Sequence, residues 1–258
     1  QQLVEHVKLR RQAGVGPSTV NNDLVWLGVI FKMARPAWGY DLDLQTIVDA
    51  KVVCRQARLI GRPKQRNRRP TIQELDQLLA YFEAADARAT IPMVELVLFQ
   101  LFSGRRDGET CRLRWDDLQG RSVLVRDMKH PTHKTDEIVA LTEEAYLIAQ
   151  RQPRQEGQPL IFPYNPRSVS AAFRRGCKMC GIEDLHLHDL RHECASWLAE
   201  LGWQIPQMAR VTGHKSWNTL KRYTHVDGTE ISDKYADWAW RPALQQQFAV
   251  HQSSVPDR

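Results

Sequence analysis

Three short stretches of the chain carry more polar functionality than structure requires. The first is Ser103-Gly-Arg-Arg-Asp-Gly-Glu109, directly after the most apolar helical stretch. An arginine set at the end of a core helix, beside a new helix start, is well placed to hold an anion. Taken alone, an exposed basic turn is the plainer reading. The second is His186-Leu-His-Asp-Leu-Arg-His192. His188 and Arg191 are three apart on a predicted helix and so share one face, where a phosphate-sized anion touches both. A metal reading competes, because His186, His188 and His192 lie close to Cys177-Lys-Met-Cys180. It lacks a second cysteine pair or an HExxH motif, and lone helical cysteines are usually small core residues. The third is Thr212-Gly-His-Lys-Ser-Trp-Asn-Thr-Leu-Lys-Arg-Tyr-Thr-His225. Here His214 follows a glycine turn, and Ser216 can cap a short helix carrying Tyr223. A tyrosine on an amphipathic helix is normally packing. The ensemble argues for more: two arginines, several histidines, a lysine-bearing hairpin and a late tyrosine in one basic protein.

The elements that must position these groups are mostly helical. Ser18 or Thr19 is expected to cap a helix with Val20, Leu24, Leu27, Ile30 and Phe31 at helical spacing, ended by Pro36. A shorter helix is expected from Leu44 to Ala57. Thr71-Ile-Gln-Glu74 is a capping box opening a helix with Leu75, Leu78, Leu79 and Phe82 on one side. A buried helix over 91–102 is broken by Ser103-Gly104, and a short helix covers 108–114. Residues 121–126 and 137–141 read as a hairpin around a polar loop. Further helices are predicted over 143–151, 168–180, 189–201, 204–211 and 217–225. The fold class is therefore mostly α with a small β-hairpin or sheet, an α+β chain. It divides into a small helical domain over 1–60, a basic linker over 61–70, and a larger domain over 71–258 with a tail from 229.

The 258 residues, 42% hydrophobic and 26% charged, suffice for one large domain or two smaller ones and exclude disorder as the main state. No apolar run reaches the ~20 residues of a membrane span. The first residue is Gln and the first methionine is Met33, so the natural N-terminus is expected to be missing. Five cysteines at low density argue for reduced thiols in a cytoplasmic protein. The net charge is +6, yet residues 1–70 alone carry +8. The densest run, Gly61-Arg-Pro-Lys-Gln-Arg-Asn-Arg-Arg69, places Arg62, Lys64, Arg66, Arg68 and Arg69 together. The bland reading is a solvated tether. The sharper one is a strap that neutralises phosphates along a nucleic acid.

In order and spacing the clusters resemble the tyrosine recombinase (phage integrase) family. The matching residues are Gly104, Arg106 and Glu109; Lys129 in the hairpin; His188-Asp-Leu-Arg191; Gly213-His214; and Arg222-Tyr223, with His214 and Tyr223 nine apart. Leu113-Arg-Trp-Asp-Asp-Leu118 is also similar to the family's stretch after the first arginine. The likeness covers roughly 70–226, and the first 60 residues resemble the family's helical core-binding domain more loosely. The hairpin loop around Lys129-His-Pro resembles that of shufflon-type DNA-inversion recombinases. Two departures stand out. Arg105 occupies a usually apolar position, so two arginines compete for one role, and spacing to Glu109 favours Arg106. The loop Lys129-His-Pro-Thr-His-Lys134 holds two lysines, either of which could serve.

The resemblance implies a site-specific DNA recombinase with no metal or other cofactor. Tyr223 would attack a backbone phosphorus, expel a 5′-hydroxyl and leave a 3′-phosphotyrosyl link. Arg106 and Arg191 would offer paired N–H donors to the non-bridging oxygens. His188 and His214 would donate to the same oxygens or accept the tyrosine proton. Lys129 would protonate the leaving oxygen, and Glu109 would position the first arginine. His192 and His225 are read as structural. The implied partners are double-stranded DNA with a defined recombination site, further copies of the chain in a tetramer, and accessory DNA-bending proteins. The implied setting is bacterial cytoplasm and nucleoid, or a phage or mobile element. Rival readings are a type IB topoisomerase-like enzyme, a catalytically silent DNA-binding protein, and a metal-dependent nuclease.

The tail carries one further expectation. Ile231, Tyr235, Trp238, Leu244 and Phe248 fall near helical spacing, with Pro242 as a breaker. Because recombination needs several subunits, 229–248 is expected to dock on a neighbouring subunit rather than on its own domain.

Overall fold

The computed structural model describes residues 1–63, 66–86, 89–128, 135–223 and 232–241. Two compact units divide the chain, Gln1–Arg66 and Asn67–Arg258, and the division falls inside the basic run.

The first unit is built on helices α1 (Gln2–Gln12), α2 (Pro17–Trp38) and α3 (Gln45–Gln56). Its small core joins Val7, Val20, Leu24, Cys54 and Ile60, and Arg10 bonds Asp23 at 3.0 Å between α1 and α2. Two sequence expectations fail here. Neither Ser18 nor Thr19 caps α2, because the N-cap is Gly16 and Pro17 takes the first helical position, where its missing N–H costs nothing. Nor does Pro36 end the helix. It sits in the last turn, and the chain leaves the helix at Gly39, whose φ of 72° is the left-handed region glycine adopts freely. Ile30 is exposed, along with Trp26, Val29 and Met33 on the same helix.

The second unit holds α4 (Ile72–Asp86), α5 (Met93–Ser103), α6 (Asp107–Thr110), a three-stranded antiparallel sheet of β1 (Leu118–Gln119), β2 (Ser122–Met128) and β3 (Thr135–Ala140), α7 (Glu143–Gln150), α8 (Pro166–Met179), α9 (Leu187–Glu200), α10 (Ile205–Thr212) and α11 (Trp217–Leu220). A 3₁₀ turn, Lys221–Tyr223, closes this series. The Thr71–Glu74 capping box forms as expected: Glu74 N–H donates to Thr71 Oγ1 at 3.1 Å, and Thr71 N–H to Glu74 at 2.8 Å. The hairpin pairs Val123 with Val139 and Val125 with Glu137, with an irregularity before Met128–Thr135, and β1 adds a strand the sequence did not announce. Helix α6 is shorter than the expected 108–114.

Helix α5 is the spine of this unit, and it packs against α4, α7, α8 and α9. Every residue from Leu96 to Ser103 is buried, so the apolar run does what its composition demands. Phe102 meets Trp197 of α9 edge-on, with ring centroids 5.3 Å apart. Cys177 joins the same core and Cys180 caps toward Gln77, which is the packing role expected of them. Among the described residues no helix is long and apolar enough to cross a membrane.

Over 232–241 the tail packs on its own unit in the single chain, where docking on a neighbouring subunit was expected. Tyr235 and Trp238 are buried in the core of their own unit, against Phe102 and Trp197. Polar ends are matched too: Trp197 Nε1 donates to Asp233 at 2.8 Å, Trp238 Nε1 to Asp76 at 2.6 Å, and Arg241 to Glu144 at 2.9 Å. These carboxylates belong to the same unit, so the segment docks in cis. Ile231, Pro242, Leu244 and Phe248 lie outside the described residues.

Candidate active site

Helix α5 delivers the first arginines. Gly104 turns the chain at φ 62°, and an added Cβ there would meet Cys194 Sγ at 3.2 Å and Thr212 Cγ2 at 3.3 Å. The positive φ favours glycine, and an added side chain would also press on Cys194 and Thr212. The chain then places Arg105 and Arg106 in opposite environments. Arg105 is 1% exposed, and its Nη2 donates to Val211 O at 2.5 Å. Its Nη1 lies 3.7 Å from Glu109 as an ion pair, and its Nε and Nη1 have no hydrogen-bond partner. Arg106 keeps about a third of its side chain exposed and donates from Nη1 to Glu109 at 2.6 Å. Of the two arginines the sequence left in competition, Arg106 is the partly exposed one and Arg105 the buried one.

Glu109 is 3% exposed and surrounded by positive charge. Burial would raise its pKa, but Arg105, Arg106 and Arg191 together hold it below the usual carboxylate range. Three guanidiniums converging on this carboxylate leave the floor with excess positive charge, the condition for receiving an anion. Ser170 of α8 donates to Asp107 at 2.7 Å and fixes the start of α6 from the other side.

Helix α9 supplies the next groups on one face, with His188, Arg191 and His192 at i, i+3 and i+4. Arg191 is 2% exposed, and its Nη1 donates to Gly104 O at 2.6 Å. Its Nη2 lies 3.1 Å from His214 Nε2, and His214 Nδ1 lies 2.7 Å from Thr212 Oγ1. An arginine can only donate, so Nε2 accepts and the His214 proton sits on Nδ1. Thr212 receives it and passes its own hydroxyl proton to Met208 O at 2.7 Å. Burial first, then Arg191, Arg106 and Arg105, push the His214 pKa down to about 2. His188 is lowered by the same causes, burial first, then Arg191 and Arg106. Both imidazoles are neutral at pH 7 in the free protein.

His214 follows Gly213, which ends α10 at φ 66° with an added Cβ only 3.0 Å from Arg105 Nη1. Lys215 anchors the same turn to the hairpin, bonding Glu137 at 2.8 Å and Thr135 at 2.5 Å. Arg106 and His188 line one cleft of about 420 Å³, together with Asp107, Ser170 and Arg174. Tyr223 is 8% exposed and its hydroxyl lies 2.6 Å from His192 Nδ1. His192, read from the sequence as structural, thus touches the tyrosine. Its spacing of four from His188 was the available signal, since it fixes both rings on one helical face. Among the candidate groups, Arg106 bonds Glu109 and Arg191 bonds His214, while Tyr223 meets His192, whose ring packs on that of His188. Lys129, Lys134 and His225 lie outside the described residues.

The expected five-cation strap is corrected at two positions. Arg68 pairs with Glu74, and Arg69 bonds Glu193 at 2.6 Å and also Glu200. Glu193 is fully buried in α9 and also receives Lys234 and the Tyr235 hydroxyl, each at 2.9 Å. Arg69 is therefore a staple inside the second unit, because an internal carboxylate needs it more than a phosphate does. Lys64 lies outside the described residues. Arg62 lines a polar cavity of the first unit with Ser18, Asn21, Asn22 and Arg55.

Comparison with known proteins shows the family. A family model described as the phage integrase family matches residues 69–230. The shufflon-specific DNA recombinase of Escherichia coli is 32% identical over 228 residues, covering 84% of this chain and 53% of that protein. A putative integrase/recombinase of Haemophilus influenzae is 28% identical over 229 residues, covering 86% of this chain and 71% of its own length. The Tn1549 transposon integrase, solved in complex with transposon right end DNA, shares the fold with a TM-score of 0.60 at 15% identity, over 96% of this chain and 84% of that one. The chain spans about half the length of the shufflon-specific recombinase. With the matched region enclosing the candidate residues from Arg106 to Tyr223, the chain belongs to the phage integrase family.

Proposed function

We propose that this chain is a site-specific DNA recombinase that cuts and rejoins strands through a 3′-phosphotyrosyl link on Tyr223. The observation that carries the reading is that Arg106 and His188 line one cleft, Arg191 of the same helix as His188 bonds His214, and the Tyr223 hydroxyl meets His192 of that helix. A phosphodiester repels a nucleophile, and its pentacoordinate state carries still more charge. Arg106, at the edge of the cleft, and Arg191 would bind the non-bridging oxygens, with Glu109 holding the first arginine in place. An incoming phosphate would compete with His214 for Arg191 and compensate the positive charge that, after burial, lowers the pKa of both histidines. His188 would then donate to the phosphate. Lys129, or Lys134 in its place, would protonate the leaving 5′-oxygen. The bond energy stays in the phosphotyrosyl ester, so rejoining needs no nucleotide.

The reading carries a duplex with a defined site as substrate, further copies of the chain assembling on it as a tetramer, and a cytoplasmic, DNA-associated setting. Arg62, Lys64 and Arg66 would add phosphate contacts from the first unit. The test is recovery of covalent protein–DNA adducts from fragmented genomic DNA in the presence of chelator, followed by sequencing of the attached ends. Ends clustering on one motif support a site-specific recombinase. Ends scattered over all sequences would favour topoisomerase-like relaxation, and cleavage that leaves no adduct and is lost in chelator would point to a metal-dependent nuclease.

A further inference from the structure

The three histidines around Tyr223 are not equivalent. His214 is engaged at both ring nitrogens, by Arg191 at 3.1 Å and by Thr212 at 2.7 Å. His188 lines the cleft beside Arg106, where an anion would sit. His192 lies one helical turn beyond His188 on α9, their rings meeting edge-on at 4.9 Å. Its Nδ1 is 2.6 Å from the Tyr223 hydroxyl. The centroids of His192 and Tyr223 are 6.4 Å apart and the planes tilt by 35°, so the two rings meet through this polar contact and not by stacking. A phenol with an ordinary pKa near ~10 needs a base to attack at neutral pH. A general base must stand within about 2.6–3.2 Å of the proton-bearing atom, and His192 does.

We propose that His192 is a further catalytic residue of this site, the group that takes the Tyr223 proton. The assignment rests on the reading of Tyr223 as nucleophile. With Nδ1 unprotonated, the phenol donates to it. In the cleavage step the Oη–H bond breaks and an Nδ1–H bond forms, while Oη bonds to phosphorus. The bond from phosphorus to O5′ breaks, and the leaving oxygen takes a proton from the hairpin lysine or from water. In rejoining, the 5′-hydroxyl returns that proton and attacks phosphorus, and the departing phenolate recovers its own from Nδ1. His188 and His214 are left to the phosphate. One face of α9 then carries both the charge stabilisation and the proton transfer.

The experiment measures single-turnover attachment of the full chain to a pool of random-sequence duplexes, each carrying a nick that lets the freed 5′ fragment diffuse away. Wild type, His192→Ala and His192→Asn are compared, each also with 3-fluorotyrosine, a more acidic phenol, at position 223. Both variants should attach about 10²- to 10⁴-fold more slowly, with binding to the pool unchanged as the control for folding. The acidic phenol should recover part of that loss in the variants and little in the wild type. A 5′-bridging phosphorothiolate, which removes the need for a proton on the leaving group, should recover none of it. An Asn variant within about threefold of wild type would overturn the proposal, because a hydrogen bond without proton transfer would then suffice. So would a loss equal for both phenols, or an Ala variant faster than wild type, which would make the contact a restraint on the nucleophile. A wild-type chain that attaches to nothing in the pool would overturn the reading of function itself, and this assignment with it.

Discussion

Arg191 donates from Nη2 to His214 Nε2 at 3.1 Å, and this one bond fixes the histidine's tautomer and its charge. His214 holds its proton on Nδ1 for Thr212, and burial together with Arg191, Arg106 and Arg105 keeps a second proton off. The sign of the pH dependence follows. An unfolded histidine takes up a proton near pH ~6.5, while the folded His214 does not. The unfolded state therefore binds more protons below that value, and the native state loses stability as pH falls from about 6.5 toward 5. Thermal melts of wild type and His214→Gln across pH 5 to 8 measure this. The variant should show a shallower acid slope, by at most about 1.4 kcal/mol per pH unit. Parallel slopes would mean His214 is already protonated in the fold.

The neighbouring arginines should separate cleanly. Arg105 is buried, ion-paired with the buried Glu109 and bonded to Val211 O, so Arg105→Met should melt below the wild-type temperature, since removing one partner of a buried pair leaves the other uncompensated. Arg106→Ala should leave the melt almost unchanged and slow strand cleavage by about 10²- to 10³-fold. A cleavage defect confined to the Arg105 variant would reverse the two roles.

The basic run should divide the same way. Arg69 reaches the buried Glu193, so Arg69→Ala should cost about 2–3 kcal/mol in urea unfolding. Replacing Arg62, Lys64 and Arg66 together should spare stability and flatten the log–log salt dependence of DNA binding by up to about three units, at ~0.9 per phosphate contact. An unchanged slope would reduce the run to a tether.

Trp238 gives the corresponding test for the tail. It packs on Phe102 and donates to Asp76 within its own unit. Trp238→Ala should destabilise the free chain by about 3–5 kcal/mol, independent of protein concentration. Normal stability of the free chain, with loss only of assembly on DNA, would restore docking in trans.

What could be read from the sequence was what short-range spacing encodes. The Thr71–Glu74 box, the helical face of His188 and Arg191, and the hairpin strands each depend on residues a few positions apart. The preference for Arg106 over Arg105 rests likewise on a local spacing, the three residues to Glu109 in the pattern the family resemblance supplies. The misreadings share a different cause. The carboxylates that claim Arg69 stand 124 and 131 residues away, and charge counting along a run does not see them. The tail's aromatic spacing showed that Tyr235 and Trp238 must be covered, but only the fold shows that Phe102, Trp197 and Glu193 cover them. The contact of His192 with Tyr223 spans 31 residues and needs α9 and the last turn brought together. Pro36 does not stop α2: it removes one backbone hydrogen bond, yet the helix runs on to Trp38.

The central claim is that Tyr223 forms the covalent bond to DNA. It is tested most directly by trapping the adduct on nicked duplexes, digesting the protein and mapping the DNA-bearing peptide by mass spectrometry, with Tyr223→Phe alongside. The account predicts a phosphotyrosyl link on Tyr223 in the wild type, and full DNA binding without adduct in the Phe variant. A link on Tyr235 or any other residue, or an adduct that survives Tyr223→Phe, would contradict it.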